Sequence, residues 1–325
     1  MKAIYISKYG GPEVLYISEM QVPSPKENEI LIKVYCAAVN STDPVFRKGK
    51  PFISRIFTGL LKPKHSIPGD VLAGKVVDIG NKVTKYKVGD RVFGYTSETL
   101  GAQAEYKCLP ENSPITMIPE NVSFVDAASI VDGGHTALVF LREKGEISDK
   151  KKVLIYGASG SVGTAAVQLA NHYGAEVTGV CSTLNIEMIK SLGVKKVIDY
   201  TKDDFTKEDI KYDIIFDTVA KKSFSQCKKS LTENGIYLST FPTLEVLLKG
   251  FFQSKSKGKR AFFVATGLKP SNEKISNLQY LADLMMNNKI KAVISKKYMM
   301  EEIAEAHRNV ETGHKKGNVI INICQ

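Results

Sequence analysis

The stretch from Lys151 to Cys181 reads "KKVLIYGASGSVGTAAVQLANHYGAEVTGVC". An apolar run enters three glycines, Gly157, Gly160 and Gly163, spaced three apart, and a small-residue stretch of helical character follows. A strand that turns sharply into a helix gathers free N–H groups and the positive end of a helix dipole in one place, where phosphate can bind. The turn asks for glycine at three points: a tight bend at Gly157, close backbone approach near Gly160, and helix-on-strand packing at Gly163. Ala158–Ser159 stand where the familiar G-x-G-x-x-G pattern has its second glycine, so spacing alone is a weak signal. The setting between strand and helix gives it force. Gly157, Ala158, Ser159, Gly160, Ser161, Val162 and Gly163 are therefore a candidate pyrophosphate cradle. The alternative is a tight structural turn.

Working outward, "EVTGVC" (176–181), "KVIDY" (196–200), "YDIIFDTV" (212–219), "GIYLST" (235–240) and "AFFVAT" (261–266) are further strand-like runs. Helical patterns separate the earlier ones. This alternation predicts an α/β fold with a doubly wound parallel sheet and right-handed crossovers. The first third instead holds short β segments, "ILIKVYCAAV" (30–39), "VLAGKVVDIG" (71–80) and "DRVFGYT" (90–96), with a turn at Gly89–Asp90. The rhythm becomes helical after Val122, with Ser123 as N-cap. Beyond Gly267 the chain is helical again. It closes with "NVIINI" (318–323), a strand without a partner in the doubly wound part, which is expected to return to the first domain. The predicted domains are 1–122 with 268–325, and 123–267.

The residue about 20 positions past the glycines separates the two nicotinamide cofactors. NAD sites place Asp or Glu there for the ribose hydroxyls. Here the segment is "CSTLN", Cys181 to Asn185, without an acid. Ser182 and Thr183 can donate to a 2′-phosphate that no carboxylate repels, so NADPH is the expected cofactor. The same two hydroxyls could simply cap the next helix.

The chain has 325 residues, 43% hydrophobic and 24% charged, which suits two globular domains. The opening "MKAIYISKYGGPEVL" lacks the apolar run of a signal peptide, and no 18-residue apolar run predicts a membrane span. Five scattered cysteines without a C-x-x-C argue against a disulfide framework and a sulfur-rich zinc site; a cytoplasmic location is expected. Lys and Arg exceed Asp and Glu by 45 − 34 = 11, a basic balance that suits anionic partners. No nucleic-acid motif accompanies it.

Several motifs carry a family resemblance across nearly the whole chain: "VNSTDPVFRKG" (39–49), "VGDRVFG" (88–94), "GGHTAL" (133–138), "IYGASGSVG" and "EEIAEAHRNVETGHKKGNVII" (301–321). The sequence resembles the medium-chain dehydrogenase/reductase superfamily, in its zinc-independent, quinone oxidoreductase (ζ-crystallin-like) branch. The resemblance implies a GroES-like catalytic domain beside a Rossmann domain, and NADPH-dependent reduction of a quinone or an α,β-unsaturated carbonyl. It places Asn40 and Asp43 near nicotinamide and substrate, and Thr136 on the nicotinamide. It puts Ser182, Thr183 and Tyr200 around the adenosine phosphate, and Thr218, Val219 and Phe241 over the ribose and nicotinamide. Phe263, Val264 and Ala265 close over the cofactor, and Lys316 and Asn318 approach it from the C-terminal segment. Zinc relatives have a Cys where Asn40 to Thr42 stand and a His where Asp70 stands, so no metal is expected. Leu184–Asn185 replace the cation that relatives often carry after the Ser-Thr pair, which loses a charge partner for the 2′-phosphate.

"FRKGKPFISRIFTGLLKP" (46–63), with Phe46, Phe52, Ile53, Ile56 and Phe57, is a candidate lid or a surface loop with a hydrophobic foot. No Tyr lies between Val45 and Leu72, so the proton that follows the hydride is expected from water or a ribose-hydroxyl relay. "QSKSKGKR" (253–260) reads as a solvated basic loop. The apolar run after it reads as a sheet edge that pairs with a second copy, giving a homodimer through 261–266. Two other readings stand beside the reductase: an alcohol dehydrogenase-like activity, and a non-enzymatic NADPH-binding or RNA-binding protein.

Overall fold

A computed structural model describes residues 1–96, 99–252 and 258–324. The chain divides into two units, Met1–Asp132 with Pro270–Gln325, and Gly133–Lys269. The first opens with β1 (Lys2–Tyr5) and β2 (Tyr16–Glu19), an antiparallel pair. It continues through β3 (Glu29–Val39), α1 (Thr42–Lys48), α2 (Arg55–Thr58), β4 (Val71–Ile79), β5 (Arg91–Tyr95), β6 (Tyr106–Pro110) and β7 (Ile115–Met117). Strand β3 pairs antiparallel with both β4 and β6, and register shifts at Leu31/Ile32 and Val34/Cys36 mark bulges that let one long strand bend. Its Ile30, Ile32, Val34, Ala37 and Val39 are fully buried in the core of this unit.

Helix α3 (Phe124–Leu138) crosses the division and runs on as a π-helical stretch, Val139–Lys144. Ser123 Oγ accepts the Asp126 N–H at 3.1 Å, so the expected cap is present. The division falls at Asp132/Gly133, ten residues beyond the boundary read from the sequence. The first turns of α3 belong to the first unit because Phe124 stacks on Tyr35 at 4.5 Å and Tyr95 donates to the Val131 carbonyl at 3.2 Å. The helix over Phe124–Lys144 has the length and mean hydropathy, 1.3, to cross a bilayer, but 78% of its apolar window is buried, as in a core helix.

The second unit alternates strand and helix. Its elements are β8 (Lys152–Tyr156), α4 (Ser161–His172), β9 (Glu176–Cys181), α5 (Ile186–Lys190), β10 (Lys196–Asp199), β11 (Tyr212–Asp217), α6 (Phe224–Cys227), β12 (Leu231–Ser239), α7 (Leu244–Phe252) and β13 (Arg260–Phe262). All strand pairs are parallel, in the order β10-β9-β8-β11-β12-β13. The order reverses at β8, the first strand, so the loop after β8 lies at the switch point where such sheets bind ligands. Val153, Leu154 and Ile155 are fully buried, as a strand covered on both faces requires.

The expected strand 261–266 ends at Phe262, and a 3-10 turn occupies Thr266–Leu268. In the C-terminal part lie α8 (Ser271–Met286), β14 (Ile294–Met299), α9 (Ile303–Glu311) and β15 (Asn318–Asn322). The last strand returns to the first unit as expected, antiparallel to β3 and parallel to β14.

Candidate functional site

In the second unit, β8 delivers the chain to Gly157, which sits at φ +80°, where a side chain is strained. A Cβ on Gly157 would meet Thr218 Oγ1 at 2.6 Å, and one on Gly163 would meet the Gly157 carbonyl at 2.1 Å. At Gly160 the nearest atom to such a Cβ would be 3.6 Å away. Two glycines are therefore demanded by packing, while the third leaves open space. Gly160 caps α4, and Thr164 N is the amide that reaches its carbonyl, at 2.9 Å. The amides of Val162 and Gly163 lie in the first turn of α4, the part of a helix that supplies no acceptor of its own. The open backbone at a helix start fits a diphosphate. Thr218 and Val219 stand beside this loop, and Thr218 donates to the Tyr156 carbonyl at 2.9 Å.

The end of β9 carries Ser182 and Thr183. Thr183 Oγ1 donates to Asp199 Oδ2 at 2.5 Å, and Asp199 Oδ1 accepts Thr201 N at 3.0 Å and Thr201 Oγ1 at 2.7 Å. The Thr183 hydroxyl, with Thr201 behind it, holds the Asp199 carboxyl below its usual range. Asn185 Nδ2 donates to Ser159 Oγ and to Ser182 Oγ, both at 3.1 Å. Tyr200 is half-exposed and tilts against Tyr156 at 6.4 Å.

The first unit holds a second constellation. Where β3 ends, Asn40 turns the chain into α1, and its N–H donates to Asp43 Oδ2 at 2.6 Å. Asn40 Nδ2 donates to Asp70 Oδ1 at 3.2 Å. Burial, then the neighbouring Asp70, pushes Asp43 well above the usual carboxylate range. Burial, then Asp132, pushes Asp70 up to about 7. Burial likewise raises Asp132 and lowers Lys315, whose charge opposes the carboxylates. Both acids near Asn40 are thus held towards their neutral forms. A small cavity of about 20 Å³ adjoins Asp43 and is walled by Phe46, Thr58, Pro63, His65 and Leu100. The segment 46–63 supplies part of that wall, while Phe52, Ile53 and Ile56 face solvent at 68%, 62% and 65% exposure. The side chain of Phe57 lies outside the described residues.

An alcohol dehydrogenase GroES-like domain model matches residues 26–120, and a zinc-binding dehydrogenase model matches residues 192–321. The chloroplastic quinone-oxidoreductase homolog of Spinacia oleracea is 32% identical, over 99% of this chain and 98% of that protein. The chloroplastic NADPH-dependent alkenal/one oxidoreductase of Arabidopsis thaliana is also 32% identical, over 99% of this chain and 79% of that protein. The chain belongs to the quinone oxidoreductase-like medium-chain dehydrogenases/reductases. Their fold is shared in full: the quinone oxidoreductase structure from Coxiella burnetii aligns with a TM-score of 0.87 at 31% identity, covering 100% of this chain and 99% of that one.

This dehydrogenase/reductase distributes its remaining candidates as follows. Thr136 Oγ1 lies 3.2 Å from Thr266 Oγ1 in the second unit. Phe241 is half-exposed after β12. Phe263, Val264 and Ala265 follow β13 in irregular backbone rather than forming a strand end. Lys316 and Asn318 belong to the first unit, where Asn318 Nδ2 donates to the Val293 carbonyl at 3.0 Å as β15 begins. Asn40 and Asp70, which the family resemblance sets at zinc-ligand positions, are joined here by a carboxamide-to-carboxylate hydrogen bond. Among the described residues, no three of His, Cys, Asp and Glu come together in a way that would hold a metal.

Sequence reasoning passed over Asp70 as a proton holder, treating it only as a missing His. It read Asn185 as a lost cation and left Asp199 of "VIDY" unassigned. The signals were present as polar residues beside assigned ones, but their partners come from other strands.

Proposed function

We propose that this protein reduces a quinone or an α,β-unsaturated carbonyl by hydride transfer from NADPH, without zinc. The observation that carries the reading is the switch-point loop in which packing demands Gly157 and Gly163 while Gly160 is open. The relatives named quinone-oxidoreductase homolog and NADPH-dependent alkenal/one oxidoreductase supply the substrate class.

NADPH supplies the hydride when bound. The protein binds its pyrophosphate on the α4 amides and its 2′-phosphate on Ser182, in a segment, Cys181 to Asn185, without an acid. Asn40 orients the substrate carbonyl. Asp70 holds the proton that an enolate or hydroquinone anion takes up, and its carboxyl stays neutral until about pH 7. The sequence alone led instead to a relay from water or a ribose hydroxyl. Asp43 fixes the Asn40 backbone through its 2.6 Å hydrogen bond. The Asn40–Asp70 hydrogen bond supports the zinc-free reading. Five free thiols, three of them buried, suit a reducing compartment such as the cytoplasm. The homodimer reading rests on the edge position of β13. The basic stretch 253–257 lies outside the described residues.

The test is NADPH consumption against a panel of quinones and enones, with NADH alongside. Turnover with NADPH is expected, and a panel in which nothing is turned over removes the reading. In Asn40→Ala, turnover is expected to fall about tenfold or more, as for a lost general acid–base or orienting group; turnover equal to the parent takes Asn40 out of the mechanism.

A further inference from the structure

The short segment that lost its cation contains a buried side chain with two partners. Asn185 is 7% exposed, and Leu184 beside it is 84% exposed. The Asn185 carboxamide spans two places that the sequence treats separately. Its Nδ2 donates to Ser159 Oγ, inside the glycine loop, and to Ser182 Oγ, at the end of β9. Its Oδ1 is buried and has no partner.

A serine hydroxyl has one proton and two lone pairs. An Oγ that accepts from Asn185 keeps its own proton for another acceptor. In this orientation both hydroxyls are left as donors. Were the carboxamide turned over, Oδ1 would take both protons and the hydroxyls could offer an anion nothing but lone pairs. The orientation seen leaves both hydroxyl protons free for an anion and Oδ1 unpaired. Thr183 differs. Its proton is committed to Asp199 Oδ2, so it has none to offer a phosphate.

We propose that Asn185 is a positioning residue that sets Ser159 and Ser182 as hydrogen-bond donors to the pyrophosphate and the adenosine 2′-phosphate of the cofactor. The inference rests on the NADPH reading above. It also reverses the significance of the segment, because the residue standing where a cation was missed organises the donor that remains. Preference for NADPH then runs through Ser182, with Asn185 behind it and Thr183 outside it.

The experiment is titration of the full-length protein with NADPH and with NADH, read by nicotinamide fluorescence, for the parent and for Ser182→Ala, Thr183→Ala, Asn185→Ala and Asn185→Asp. A charge-assisted hydrogen bond is worth about tenfold or more in affinity. Ser182→Ala is expected to weaken NADPH about tenfold while leaving NADH within about twofold. Asn185→Ala is expected to weaken NADPH more than NADH, and the double variant with Ser182→Ala to show the preference of Ser182→Ala alone, as coupled residues do. Asn185→Asp is expected to be the worst for NADPH, because its carboxylate takes both hydroxyl protons and repels phosphate. Thr183→Ala is expected to keep the preference.

A preference unchanged in Asn185→Ala, or additive with Ser182→Ala, overturns the proposal while the NADPH reading stands. A parent that binds neither nucleotide overturns both. A merely structural role for Asn185 would lower the melting temperature and weaken both nucleotides alike. If Asn185→Ala does not fold, the two hydroxyl variants decide: a cost to NADPH from Thr183→Ala, or none from Ser182→Ala, overturns the assignment.

Discussion

A carboxyl placed among other carboxyls keeps its proton to higher pH than an exposed one. Asp70 is raised to about 7 by burial and then by Asp132, while the Asn40 hydrogen bond and the Lys274 charge pull the other way. Because the folded state binds this proton more tightly than the unfolded chain, the contribution to stability is fully present below the ordinary Asp value of about 4. It is lost as pH rises through about 7, where the folded group ionises against its neighbours. Asp70→Asn removes that ionisation and keeps an acceptor for Asn40. Its melting temperature is expected to exceed the parent's at pH 8 and to match it only below about pH 4. A difference equal at both values would show that Asp70 titrates like an ordinary surface acid. Enone turnover that falls above pH 7 in the parent is expected to lose that limb in the variant. Little of this was legible in the sequence. Asn40 and Asp43 are three residues apart and were assigned through the family resemblance, and they do share a hydrogen bond. Asp70 and Asp132 come from the residue before β4 and from α3, and a proton affinity set by such neighbours has no local signature. Asn185 shows the same limit, since its partner Ser159 is 26 positions away.

At the scale of elements, the glycine loop was legible because its constraints are short-range. Strand, turn and helix follow one another without interruption, and Gly163 answers to backbone of the loop itself while Gly157 answers to its own φ of +80°. The three positions nevertheless differ in what they do. A Cβ at Gly163 meets rigid backbone, the Gly157 carbonyl at 2.1 Å and Ala158 Cα at 2.8 Å. Gly163→Ala is therefore expected to destabilise the protein by about 1–3 kcal/mol, as overpacking does. Gly160 has φ −78° and an open surround, so Gly160→Ala is expected to keep its stability within about 0.5 kcal/mol. Its methyl occupies the approach to the α4 amides, so the loss is expected in nucleotide affinity. Urea unfolding and nucleotide titration of both variants separate the two effects. A Gly160→Ala protein that binds NADPH like the parent would place the phosphate elsewhere. Strand ends were less legible. "AFFVAT" is apolar to its end, yet β13 stops at Phe262, which pairs with Leu238 one residue before β12 itself ends. A parallel edge strand has only one partner, and its length is set by that partner rather than by its own hydrophobicity.

At the scale of the whole molecule, the domain order was legible because a switch from short β segments to strand–helix alternation survives any error in boundaries. Association depends on one edge. β13 ends the six-stranded sheet, with one side of its backbone unpaired among the described residues. On α7, which follows β12, Leu244, Leu247 and Leu248 are 73%, 46% and 52% exposed. An unpaired edge strand near exposed leucines favours a second copy as its partner, so the mass in solution is expected to be twice 35.8 kDa by sedimentation. Phe262→Asp sets a charge on the edge and is expected to give single chains. Each copy carries +11, so pairing brings like charges together over distances that salt screens beyond about 8 Å at physiological ionic strength. Added salt is therefore expected to preserve or strengthen the dimer. Binding to nucleic acid has the opposite sign, because releasing counterions from phosphate makes affinity fall steeply with salt. Sedimentation between about 50 and 200 mM salt thus distinguishes the two uses of a basic surface. A species that dissociates as salt rises would count against pairing through an apolar edge.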